Sequence, residues 1–225
     1  MSKTVTNGST LFLDLDGTLT DPSEGVTTCF RYALECLNRP APLTSELLQY
    51  IGPPLRHSFS CLLGDDPELV EAALEHYRRR YHTVGIFELN VYPGIEPLLQ
   101  SLRSDGFALY VVTSKPAVYA QRIVEHFGWT EYFEEVFGPE LDGRFDYKTD
   151  LIAHIFEQRL LIPQRCVMIG DRASDVVAGR VNGTCAISVT YGFGSVEELS
   201  AADPDAICDS PQTIRPAVLG LSSVA

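Results

Sequence analysis

Four short apolar runs punctuate the chain, at residues 10–15, 108–113, 166–170 and 185–189, and each ends in a polar turn followed by a stretch of helical period. Runs this short, apolar at nearly every position, read as strands buried on both faces. Their alternation with helices predicts an α/β fold built on a doubly wound parallel sheet. Leu98, Leu99 and Leu102 mark a helix that ends near Gly106, where a residue without a Cβ accepts the left-handed cap. A second helix is expected over 116–127, closed by Gly128, and a third over 149–160.

The pattern changes between about residues 22 and 88. Val26, Phe30, Ala33, Leu34 and Leu37 recur at helical spacing, as do Leu47, Leu48 and Ile51, and no strand pattern interrupts them. Asp66-Pro67 has the chemistry of a helix start, a capping carboxylate before a proline at the first helical position. That helix is expected to run through Leu69, Ala73 and Tyr77. The predicted organisation is therefore a core of residues 1–21 and 89–225 with an all-helical insert at 22–88, placed between the first two strands. Arg78, Arg79 and Arg80 read as a solvated helix face. His76 and His82 point to different sides of a helix, which makes them poor joint metal ligands.

With 225 residues, 45% of them hydrophobic, the chain is long enough to bury about three quarters of its unfolded surface, so bulk disorder is excluded. No apolar stretch approaches the roughly 18 residues of a membrane span, and the first apolar run meets Asp14 too early for a secretory leader. A cytoplasmic protein is the expectation. The formal net charge of −13 argues against a nucleic-acid partner, which calls for a basic stripe. Six cysteines without CxxC spacing (Cys29, Cys36, Cys61, Cys166, Cys185 and Cys208) read as reduced core residues. The acidic balance has one further consequence. A protein of this charge that handles an anionic substrate must gather positive charge locally, and it has only three lysines, Lys3, Lys115 and Lys148.

The chemistry gathers at the predicted strand ends. The first run closes in Asp14-Leu15-Asp16-Gly17-Thr18, with two aspartates two residues apart where open α/β sheets bind ligands. The second closes in Thr113-Ser114-Lys115-Pro116, a hydroxyl and backbone N–H groups at a helix start, suited to an anion. Lys148 opens the third helix after a polar loop. Ile169-Gly170-Asp171-Arg172-Ala173-Ser174-Asp175 adds two carboxylates four residues apart. Each element alone has an ordinary reading as a turn, a cap or a surface lysine, and Lys115 reads equally as a second local charge or as a solvated first-turn lysine. Their succession at consecutive strand ends does not.

This set resembles the four motifs of the haloacid dehalogenase-like phosphohydrolases: Asp14 and Asp16, then Thr113, then Lys148, then Asp171 and Asp175. The second aspartate marks phosphate chemistry in that superfamily, and the helical insert resembles the cap of its phosphoglycolate phosphatase-like branch. Ile51-Gly52-Pro53-Pro54-Leu55, Ser114-Lys115-Pro116, Glu125-His126-Phe127-Gly128 and Leu141-Asp142-Gly143 are similar to the bacterial 5′-nucleotidase-like members. Lysine followed by proline is frequent at the third motif of the broader branch, whereas Lys148 precedes Thr149, which counts against phosphoglycolate specifically.

The resemblance implies a Mg²⁺-dependent phosphatase of small phosphorylated metabolites, with Asp14 as nucleophile and Asp16 as acid and then base. It implies Asp14, the backbone carbonyl of Asp16 and Asp171 as metal ligands, and Asp175 as a supporting residue, either a partner just outside the ligand set or the group that orients Lys148. Thr113, Ser114 and Lys115 are expected at the phosphate, and Arg56 is the candidate substrate contact of the insert. A phosphomutase using the same aspartate pair, and a catalytically silent binding module, are the alternatives. The sequence sets no oligomeric state.

Overall fold

The computed structural model describes residues 9–221. In chain order, β1 (Thr10–Leu13) and the short β2 (Thr20–Asp21) precede α1 (Ser23–Cys36), α2 (Thr44–Leu47), α3 (Leu55–Leu63) and α4 (Pro67–Tyr81). The short β3 (Asn90–Val91) is followed by α5 (Ile95–Ser104), β4 (Ala108–Val112), α6 (Ala117–His126), β5 (Glu135–Phe137) and α7 (Lys148–Arg159). Then come β6 (Cys166–Gly170), α8 (Ala173–Val181), β7 (Cys185–Val189), α9 (Val196–Ala201), β8 (Ala206–Cys208) and α10 (Pro211–Leu221). The chain divides into two compact units, one of residues 1–20 and 91–225 and the other of residues 21–90.

The larger unit holds a six-stranded sheet in the order β5-β4-β1-β6-β7-β8. Every pairing is parallel; Leu13, for instance, lies opposite Val111 of β4 on one side and Ile169 of β6 on the other. From β1 the chain builds outward to β4 and β5 on one side, then returns to lay β6, β7 and β8 on the other. The strand order therefore reverses between β1 and β6, which is where an open α/β sheet leaves a crevice at its carboxyl edge. Phe12, Tyr110, Val112 and Met168 face one layer of helices, with Leu151, Ile152 and Ile155 of α7 and Ala178 of α8 packed on them. On the opposite side α5 and α10 pack together, burying Leu98, Leu99, Leu102, Ile214 and Val218. With both faces covered, the central strands carry no alternation of apolar and polar residues.

The four expected strands are present, the first ending at Leu13 rather than Leu15, because Leu15 already belongs to the turn that carries the two aspartates. Two edge strands, β5 and β8, have no counterpart among the expectations. At three residues each and partly exposed, they leave no apolar run to read.

The smaller unit is helical. Phe30 of α1, Phe59 of α3 and Tyr77 of α4 meet in edge-on and tilted contacts with centroids 4.9–6.0 Å apart. Asp66 caps α4 as its position before Pro67 predicts, accepting hydrogen bonds from the N–H groups of Glu68 and Leu69. Two expectations need correction here. Arg80 does not lie on a solvated face: it is largely buried and makes a two-pronged ion pair with Glu88, at 2.7 and 2.9 Å. Cys36 and Cys61 are exposed thiols, so only Cys29, Cys166, Cys185 and Cys208 are core residues. No helix among the described residues is long and apolar enough to cross a membrane.

Candidate active site

Asp14 is the first residue beyond β1, and its N–H bonds to the Ile169 carbonyl of β6 at 2.9 Å, tying the two central strand ends together. Its side chain is buried, with Oδ1 accepting the Leu15 N–H at 2.8 Å. Oδ2 lies 2.9 Å from Nζ of Lys148, the first residue of α7. The same ammonium contacts Oδ1 of Asp175 in α8. The second oxygen of Asp175 accepts the Arg172 N–H at 3.0 Å, so both oxygens of that carboxylate are engaged.

A lysine in the first turn of a helix opposes the helix dipole, and burial alone would depress its pKa. Against that burial, the negative charges of Asp14 and Asp175 hold Lys148 above the ordinary lysine value. The shift favours the charged ammonium, which lies between the two carboxylates.

Asp171 follows β6 directly and is also buried. One of its oxygens accepts the Phe193 N–H at 2.8 Å, while Oδ1 has no hydrogen-bond partner. Burial, reinforced by the charges of Asp14 and Asp175, pushes its pKa well above the usual carboxylate range. Carboxylate oxygens of Asp14, Asp171 and Asp175 lie within 4.8 Å of one another. Oxygen-only donors, gathered this tightly with one oxygen unsatisfied, suit a hard divalent cation such as Mg²⁺. The acidic cluster thus includes Asp175, although that residue is also bound to Lys148.

Asp16 sits one turn further on, with Oδ2 2.7 Å from Lys115 Nζ and Oδ1 buried without a hydrogen-bond partner. Burial raises its pKa above the usual value, and the Lys115 charge offsets part of the rise. Lys115 is 8% exposed, so it is not the solvated lysine of a first helical turn; it precedes α6 and points into the protein. Thr113, at the end of β4, is buried and accepts the Lys115 N–H on Oγ1 at 3.2 Å. Ser114 beside it is half-buried. Arg56 lies in the smaller unit, in the first turn of α3, where its guanidinium pairs with Glu71 at 2.8–2.9 Å.

A glycine cradle around Asp171 was not among the sequence expectations. Gly17 has φ +83°, and a Cβ there, or at Gly192, would overlap the Asp171 carboxylate. Gly194 likewise approaches the Asp171 backbone carbonyl. Tyr191 of the same loop donates its hydroxyl to the Thr18 carbonyl at 2.9 Å. The signal that could have found this loop is Tyr191-Gly192-Phe193-Gly194, two glycines alternating with aromatics just after a buried strand.

A doubly wound sheet whose switch point gathers aspartates, a buried lysine and an unsatisfied carboxylate oxygen is suited to phosphoryl-transfer chemistry. The family follows from comparison with known proteins: residues 11–189 match the haloacid dehalogenase-like hydrolase family, and the chain belongs to it. It is 41% identical over 205 residues to a 5′-nucleotidase of Pseudomonas aeruginosa, covering 91% of this chain and 93% of that one. It is 37% identical over 188 residues to the tyrosine-protein kinase PtkA of Mycobacterium tuberculosis, covering 83% of this chain and 64% of the kinase. Among solved structures, a predicted phosphatase from Clostridium acetobutylicum superposes with a TM-score of 0.90 at 39% identity, covering 95% of this chain and 99% of that one. The protein is a hydrolase of this family, of the phosphatase kind.

Proposed function

We propose that the protein hydrolyses small phosphate monoesters through an aspartyl-phosphate on Asp14, with Mg²⁺ as the working cation. A 5′-nucleotide is the favoured substrate, because the relative at 41% identity is a 5′-nucleotidase; phosphoglycolate is the alternative. The observation that carries the mechanism is the buried contact of Lys148 with both Asp14 and Asp175 beside the unsatisfied Asp171 oxygen.

In the first half-reaction an Asp14 oxygen attacks phosphorus and the bond to the ester oxygen breaks. Asp16 gives its proton to that oxygen, so an alcohol leaves. Its raised pKa favours arrival in the protonated form. In the second, Asp16 takes a proton from water as the water oxygen attacks the phosphoenzyme. Inorganic phosphate leaves and the Asp14 carboxylate is restored. Lys148 fixes Asp14 in line and balances the charge that grows on the phosphoryl oxygens, with Thr113 and Ser114 adding hydroxyl donors. Asp14, the Asp16 backbone carbonyl and Asp171 would hold Mg²⁺, which when bound supplies positive charge against carboxylates and phosphoryl oxygens. The smaller unit acts as a cap that chooses the substrate.

A phosphate-release screen over nucleoside monophosphates, phosphoglycolate and sugar phosphates tests the reading. Release is expected only with Mg²⁺, to be abolished by chelator, and to be restored poorly by Ca²⁺, whose longer and looser coordination misplaces the nucleophile. Asp14→Asn, isosteric at a strand end, is expected to fold normally and to release no phosphate. Near-normal release from that variant, or full activity in excess chelator, overturns the mechanism. A mutase would interconvert isomers instead, and a binding module would do neither.

A further inference from the structure

Lys115 belongs, on the sequence pattern, with the groups that meet the substrate phosphate. We propose that it is instead the positioning residue for Asp16: it pins Oδ2 of that carboxylate, so that Oδ1 is the oxygen presented to the leaving group. The inference rests on the phosphatase reading above. Its basis is the 2.7 Å ion pair between Lys115 Nζ and Asp16 Oδ2, with the two side chains only 5% and 13% exposed. The other oxygen, Oδ1, is buried and without a hydrogen-bond partner. A carboxylate turns readily about its last side-chain bond; held at one oxygen, it offers the other in a fixed direction.

The lysine itself is anchored. Pro116 restricts the residue before it to extended backbone. The Lys115 N–H donates to Thr113 Oγ1 at 3.2 Å, and its carbonyl packs against Gly138, where any Cβ would overlap it. On the far side, the Ala117 N–H bonds to the Pro139 carbonyl at 3.0 Å. The segment between β4 and α6 is thus fixed from both sides, and the ammonium reaches Asp16 from a rigid base. Of three lysines in a chain of net charge −13, Lys148 serves the nucleophile; Lys115 serves the acid.

The chemistry supplies a selective readout. Proton donation to the departing oxygen matters most when that oxygen is strongly basic, and little for a good leaving group. Lys115→Met is therefore expected to lower kcat for nucleoside monophosphates and other alkyl esters by about 10-fold or more, with p-nitrophenyl phosphate changed about twofold at most. KM for each ester is expected to stay within about threefold. Lys115→Gln, which keeps a neutral donor, is expected to fall between, and carries the same comparison if Lys115→Met does not fold. In an Asp16→Asn background the Lys115→Met change is expected to add almost nothing, because the two residues act as one unit. An equal loss for all esters with KM and the inhibition constant of inorganic phosphate both raised assigns Lys115 to the phosphate and overturns the proposal. So does a loss that simply adds to that of Asp16→Asn. A protein that releases phosphate from no ester overturns the phosphatase reading instead. The positioning role is then judged by crystallography alone: Asp16 is expected to turn or split in Lys115→Met, and an unmoved carboxylate refutes it.

Discussion

Asp171 is buried with one oxygen bonded to the Phe193 N–H, the other unpartnered, and two more carboxylates within 4.8 Å. Without a cation this is a costly place for a charge, and its raised pKa reports that cost. The sign follows directly. A carboxyl whose folded pKa lies above its unfolded one keeps its proton in the folded chain while the unfolded chain ionises. Stability is therefore fully present below the unfolded pKa and falls as pH rises toward the folded one. Asp171→Asn removes this penalty: the amide oxygen still accepts from Phe193, and its NH₂ can donate to a neighbouring carboxylate. In chelator, the variant is expected to melt above the wild type by at least about 2 °C at neutral pH, the gap growing from about pH 4 upward. Phosphate release is expected to be lost. Thermal unfolding followed across pH in chelator checks this, and a gap that is absent or shrinks with pH contradicts the electrostatic account. Function and stability are opposed at this position, as expected where charge is gathered for a cation.

At the scale of elements, the site depends on where strands stop and helices start. Asp14 and Asp171 follow the last residues of β1 and β6, and Lys148 opens α7. Much of this was legible. The central strands stand out because burial on both faces leaves uninterrupted apolar runs, and the motif residues sit where those runs break. The edge strands did not stand out, since half-exposed three-residue segments have no such signature. The glycine cradle was also hidden, because an approach between Gly17, Gly192 and Asp171, far apart in sequence, exists only in the fold. Nor could composition tell that Lys115 turns inward. Lys148 shows what the element boundaries hold in place. Replacing it by alanine leaves Asp14 and Asp175 buried against each other, which is expected to destabilise the fold by about 3–5 kcal/mol. Activity is expected to disappear. Urea unfolding and phosphate release measure both effects. Added Mg²⁺ is expected to return part of the stability, since it supplies positive charge to the same carboxylates. Wild-type stability in Lys148→Ala would mean that the ammonium is not what balances them.

Over the whole molecule the proposed roles divide along the two units. Asp14, Asp16, Thr113, Lys115, Lys148, Asp171 and Asp175 all belong to the unit of residues 1–20 and 91–225. The unit of residues 21–90 has a core of its own around Phe30, Phe59 and Tyr77. The residues proposed to make and break the bond to phosphorus all lie outside the smaller unit, which on that reading is free to serve selection. Arg56 is the candidate selector. It lies at the start of α3 after the Pro53-Pro54 turn, and its guanidinium is held by Glu71 alongside rather than being packed into the core. An exposed pair of this kind adds little to stability, so Arg56→Ala is expected to leave the melting temperature nearly unchanged. Its effect is expected in kcat/KM and to differ among esters. Loss of a charge-assisted contact worth about 1.5–3 kcal/mol amounts to roughly 10- to 150-fold for a substrate that uses it. Glu71→Ala, which removes one partner of the guanidinium and keeps the arginine, is expected to shift the same substrates by a smaller factor. p-Nitrophenyl phosphate, which lacks the sugar and base of a nucleotide, is expected to be affected least by either change. If Arg56→Ala slows every ester equally, or none, selection resides elsewhere in the smaller unit.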